Sequence, residues 1–129
     1  MHATLPLLKA TDFPALARGV LDTLQVNLGY RCNQACLHCH VNASPDRKEM
    51  MAKKTIDQIL AVLSARSIGT LDVTGGAPEL NPHFRHLVRR ARAAGVRVID
   101  RCNLTIINEP GFEDLADFLA RERTEIVAS

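Results

Sequence analysis

The chain reads as an α/β protein built on a parallel sheet, and three observations predict this. Apolar stripes at helical period alternate with short apolar or β-branched runs. Their order, β-α-β-α-β-α-β, winds a parallel sheet through right-handed crossovers. Three chemically distinctive segments also fall just after the first three strands, the rim where such folds gather their chemistry.

The elements follow in chain order. Residues 1–22 form an N-terminal extension, in which Pro14 opens a short helix through Leu16 and Val20, with Thr11 or Asp12 near its cap. Leu24–Leu28 is the first strand. Gly29 and Tyr30 lead into a cysteine loop that runs to about Pro45. Thr55–Ala65 is a helix, because Ile56, Ile59, Leu60 and Leu63 share one face and Thr55 with Gln58 forms a capping box.

Leu71–Thr74 is the second strand, ended by Gly75-Gly76. A helix over Pro82–Ala94 follows, with Asn81 as its N-cap, Phe84, Leu87, Val88 and Ala91 as its stripe, and Gly95 as its stop. Val96–Asp100 is the third strand. Phe112–Arg121 is the next helix, striped by Phe112, Leu115, Ala116 and Leu119, and Glu125–Ala128 is the fourth strand.

Composition bounds the function. A chain of 129 residues suggests one domain, and 47% hydrophobic with 23% charged residues is ordinary for a globular protein. The net charge of +2 is too balanced to argue for nucleic acid or an acidic membrane. Leu5–Leu8 is too short and too interrupted by Pro6 for a signal peptide. No run approaches the roughly 18 apolar residues of a membrane span. With four Phe, one Tyr and no Trp, aliphatic side chains must build the core. Thiols that must stay free fit a reducing cytoplasm.

Cys32, Cys36 and Cys39 stand as C-x3-C-x2-C directly after the first strand. Three thiolates on one loop can bind three corners of a cubane iron–sulfur cluster, which normally takes four cysteines. The iron left over keeps an open position. Zinc is the competing reading, with His38 or His40 completing a Cys3His set, although structural zinc sites usually pair two ligand segments. Disulfides have no secretory context to support them. The second distinctive segment is Thr74-Gly75-Gly76-Ala77-Pro78-Glu79, whose glycines either allow close backbone approach at a site or make an ordinary tight turn.

The third is Arg101-Cys102-Asn103. Cys102 reads either as a thiol at the reactive rim or as a small buried hydrophobe. Arg31 and Arg101 either offset cluster charge or are solvated. His40 reads as a loop-packing residue, and Arg89, Arg90 and Arg92 as a solvated helix face.

C-x3-C-x2-C with the His38 ring before the third cysteine resembles the signature of the radical S-adenosylmethionine (SAM) superfamily. The resemblance implies a partial (β/α)6 barrel, of which four strands and three crossover helices are present, residues 23–129 forming a barrel half within a single incomplete domain over 1–129. It implies a [4Fe–4S] cluster on Cys32, Cys36 and Cys39, with SAM chelating the open iron and being cleaved reductively to methionine and a 5′-deoxyadenosyl radical.

Under the same resemblance His38 packs near the adenine. Thr74, Gly75, Gly76, Ala77 and Pro78 approach the methionine end of SAM. Ala77 stands where the superfamily's Gly-Gly-Glu-Pro segment has its acidic residue, so backbone carbonyls must serve the amino group. An electron donor such as flavodoxin or ferredoxin is implied as partner. The runs Leu24–Asn33, Cys39–Asn42, Thr74–Pro82 and Ile99–Thr105 together resemble the arsenosugar-biosynthesis radical SAM family, over roughly residues 24–108. That implies transfer of the deoxyadenosyl group to a methylated trivalent arsenical. A radical SAM enzyme for another substrate, such as a peptide, and a zinc-binding interaction module are the other readings. The fourth strand, with no successor, is expected to be a bare edge, and the chain is expected to be a fragment of a longer enzyme.

Overall fold

The computed structural model of the protein describes residues 4–14 and 17–128. A single helical turn, α1 (Leu5–Leu8), precedes β1 (Thr23–Asn27), α2 (Lys53–Ala65), β2 (Thr70–Thr74), α3 (Phe84–Ala93), β3 (Arg97–Cys102), α4 (Leu115–Arg121) and β4 (Glu125–Ala128). The strands form one parallel sheet in the order β1-β2-β3-β4. This is the predicted α/β architecture, consistent with part of a radical SAM (β/α) barrel.

Strand alternation gives the sheet two unlike faces. Leu71, Val73 and Val98 point into a core with Ile56 and Leu63 of α2, Phe84, Leu87, Val88 and Ala91 of α3, and Leu115 and Phe118 of α4. Phe84 and Phe118 meet edge to face, with ring centroids 6.3 Å apart. The intervening strand residues make the helix-free face polar: Gln25 donates to Asp72 at 2.9 Å, Arg101 donates to the same carboxylate at 2.9 Å, and Arg97 pairs with Glu125.

Several boundaries differ from expectation, each for a local reason. Pro14 does not open a helix: Pro14 and residues 17–20 are non-helical, and Leu16 lies outside the described residues. α2 begins two residues before Thr55, so Thr55 and Gln58 lie within it and are not a capping box; Ala52 is the N-cap and makes no side-chain bond. The chain is turned there by tertiary bonds, Met51 N–H to Leu28 O at 2.9 Å and Asn81 Nδ2 to Met51 O at 3.0 Å.

Asn81 also donates to Leu28 O at 3.0 Å while its Oδ1 accepts the His83 N–H. It therefore caps a lead-in turn, and α3 starts at Phe84 with His83 as N-cap rather than at Pro82. A 3-10 turn, Pro78–Leu80, fills the gap after Gly76. β3 runs two residues past Asp100, because β4 pairs with it as far as Cys102. α4 starts at Leu115 rather than Phe112. The Asp114 carboxylate at its N-cap is drawn off by Arg85, at 2.7 Å, and does not cap the helix.

Candidate functional site

The cysteine loop leaves β1 and is folded back on itself before it reaches the site. Tyr30 N–H donates to Glu49 O at 2.9 Å, Cys32 N–H to Ser44 O at 3.1 Å, and Ser44 N–H to Tyr30 O at 3.2 Å. Arg47 stacks over the Tyr30 ring, 4.7 Å from its centroid. The loop base is clamped to the segment after β2 by Gly76 N–H to Gly29 O at 3.0 Å and Ala77 N–H to Arg31 O at 2.9 Å.

This clamp explains the glycines. A Cβ on Gly76 would lie 2.4 Å from Arg31 O and 2.9 Å from the Ala43 Cβ. Gly75 has φ +148, and a Cβ there would lie 2.7 Å from Gly29 O. The pair is required by the approach of the cysteine loop itself.

A cavity of about 280 Å³ opens between loop and sheet. Cys32, Cys36, Cys39, His38 and His40 line it from the loop, Thr74, Gly75 and Gly76 from the end of β2, and Asn103 from the end of β3. The structure therefore brings the three cysteines together with His38, Thr74, Gly75 and Gly76. Ala77 and Pro78 are buried behind this wall and do not line the cavity. A larger hollow of about 580 Å³ lies between α2 and α3 and contains none of these cysteines.

The donor set fits a cluster. Cys32 is buried at the cavity base, Cys39 half-buried and Cys36 exposed. Cys32 Sγ receives the Gln34 N–H at 3.4 Å and the Asn103 Nδ2 amide at 3.4 Å, while Cys39 Sγ receives the Ala43 N–H at 3.3 Å. The N–H groups of Ala43, Val41 and Asn42 hold the Cys39 thiol below its ordinary value.

Sequence reasoning passed over the network behind the cavity. Asn103 Nδ2 also donates to Asn33 Oδ1 at 2.9 Å; Asn33 Nδ2 donates to Thr105 Oγ1 at 2.8 Å and to Glu109 Oε1 at 3.2 Å. Leu104 takes a left-handed backbone, φ 55, to place Asn103 and the turn after it. Only the position of Asn103 at a strand end pointed to it.

Arg101 is not free to balance cluster charge, since Asp72 holds it on the helix-free face. Arg31 is exposed and serves the site through its carbonyl. Cys102 is buried, 1% exposed, and faces the helix layer rather than the cavity. Burial first, then Glu79, pushes its thiol up to about 12. Burial and the neighbouring Glu79 likewise push Asp100 up to about 9.

Comparison with known proteins agrees with this geometry. The model of the radical SAM superfamily matches residues 26–128. A probable GTP 3′,8-cyclase of Pyrococcus horikoshii is 29% identical over 72 residues, 56% of this chain and 23% of that protein. A probable GTP 3′,8-cyclase of Sulfolobus acidocaldarius is 23% identical over 79 residues, 61% of this chain and 25% of that protein. That of Methanothermobacter marburgensis is 27% identical over 82 residues, 64% of this chain and 27% of that protein. The matched stretch spans about a quarter of the length of these curated relatives. Three cysteines around one cavity, the glycine clamp that docks their loop on a parallel sheet, and a family match over four-fifths of the sequence place the chain in the radical SAM superfamily.

Proposed function

We propose that this chain carries the cluster-binding part of a radical SAM enzyme that adds a 5′-deoxyadenosyl group to a methylated trivalent arsenical. The observation that carries the enzymatic part is the cavity that gathers Cys32, Cys36 and Cys39 with Thr74, Gly75 and Gly76. Members of the superfamily use a [4Fe–4S] cluster and SAM. When bound here, the cluster supplies an open iron and the electron that cleaves SAM.

The chain's own residues do the rest. Cys32, Cys36 and Cys39 would hold the cluster, and the N–H groups of Gln34, Ala43 and Asn103 would offset the thiolate charge. The half-buried backbone at Gly75 and Gly76, which lines the cavity, would offer carbonyl acceptors to the amino group of SAM, in place of the carboxylate that Ala77 lacks. His38, exposed on the cavity lip, offers its ring to the adenine.

The arsenical rests on the resemblance carried by the runs Leu24–Asn33, Cys39–Asn42, Thr74–Pro82 and Ile99–Thr105. A purine nucleotide is the second reading, favoured by the printed names of the relatives. The test is anaerobic reconstitution of the whole protein. About four irons per chain are expected. SAM should perturb the electron paramagnetic resonance signal of the reduced cluster, and 5′-deoxyadenosyl transfer should require a methylated trivalent arsenical. One zinc and no iron, or a cluster signal blind to SAM, overturns the enzymatic reading. Turnover with GTP and none with the arsenical replaces the substrate.

A further inference from the structure

We propose that Glu79, Asp100 and Cys102 form a second metal site, buried beneath the sheet rim, for a thiophilic divalent cation of the zinc class. The site is separate from the cysteine loop and does not depend on the function proposed above. Its three residues converge from two segments: Glu79 from the 3-10 turn after Gly76, and Asp100 and Cys102 from the helix-facing side of β3. One ligand atom from each lies within 4.8 Å of the other two. Donors about 2.0–2.3 Å from a common zinc ion require that convergence.

The carboxylates themselves point to a ligand. Glu79 is 5% exposed and Asp100 is fully buried, yet among the described residues no donor outside the cluster reaches their four oxygens, whose polar neighbours are one another and the Cys102 thiol. Buried carboxylates are ordinarily paired or bound to metal. Among the described residues no cationic side chain bonds to them. Arg101, next in sequence to both β3 ligands, projects to the opposite face and is taken by Asp72.

Protons alone leave the cluster short. Asp100 and Cys102 can each donate one proton towards Glu79, but the second oxygen of Asp100 still has no donor. A divalent cation engages both carboxylates and the sulfur together. Coordination deprotonates the thiol outright, and the released protons pass to water. One sulfur with two carboxylates favours zinc over calcium or magnesium, which take oxygen alone. Because the ligands are sealed from solvent, the ion enters as the chain folds, and its binding energy becomes folding energy.

The test uses the whole protein grown with added Zn2+. Zinc-edge X-ray absorption on unaltered protein should show a coordination shell with one sulfur at about 2.3 Å and oxygens at about 2.0 Å. Cys102→Ala should remove that zinc, whereas the combined Cys32→Ser, Cys36→Ser and Cys39→Ser substitutions should leave it in place. Zn2+ should also raise the melting temperature of that triple variant and leave the triple variant carrying Glu79→Gln unmoved. A protein without zinc, or zinc bound by three sulfurs alone and lost with the loop cysteines, overturns the site. In the first case protons fill the cluster; in the second the loop is the only metal centre.

Discussion

Asn103 shows how one side chain ties strand chemistry to the cluster site. Its amide sits 3.4 Å from Cys32 Sγ and is held there by Asn33, while its Oδ1 accepts from Thr105 and the Ile106 N–H. A hydrogen bond to a cluster thiolate stabilises the more negative, reduced state. Asn103→Ala should therefore make the cluster harder to reduce while iron content stays the same. A redox titration followed by electron paramagnetic resonance checks this, and an unchanged potential shows that the amide only braces the loop. Gly76 works through space alone. In Gly76→Ala the new methyl meets Arg31 O and Ala43, a clash that costs on the order of 1–3 kcal/mol and loosens the loop. The expected result is a lower melting temperature with reduced cluster retention.

The strands carry a polar face as well as a core face, and that face has its own pH response. Asp72 is buried at 6% exposure and bonded first to Arg101 and then to Gln25, which holds its carboxyl below the ordinary 3.8. A carboxyl lowered in the folded state stabilises the fold above its unfolded pKa, and that contribution is lost as pH falls through the folded one. Arg101 is exposed, so solvent screens the pair and its contribution is small. Asp72→Asn should flatten the acid limb of a melting-temperature profile and leave the neutral region only slightly changed. A profile of unchanged slope below pH 4, the unfolded carboxylate range, would falsify the assignment.

At the largest scale, the described residues form a sheet with α2, α3 and α4 packed on one face and β4 at one edge. β4 is exposed along its length, with Ile126 43% and Val127 36% exposed. An unpaired apolar edge is a template for another chain. An isolated chain of residues 1–129 should self-associate through β4, and Val127→Lys should return it towards monomer. Light scattering after size-exclusion chromatography measures both. A monodisperse parent chain shows that the edge is tolerated.

Local sequence determined the element order, the parallel sheet, the core stripes of α2 and α3 and the cysteine loop, because each rests on a period or spacing within a few residues. The superfamily could also be read there, from the three cysteines of residues 32–39, and the radical SAM superfamily model matches residues 26–128. Element starts were legible only in part. Met51, Asn81 and Asp114 spend their polar groups on distant partners, so local cap rules gave way to tertiary bonds at α2, α3 and α4. The glycine pair was visible in the sequence, but its reason, contact with the backbone of Gly29 and Arg31, was not. Asp100 and Glu79 looked like an ordinary strand end and an ordinary turn residue. Only the folding of the 3-10 turn against β3 brought those carboxylates to Cys102, since residues twenty apart meet by packing rather than by any local period.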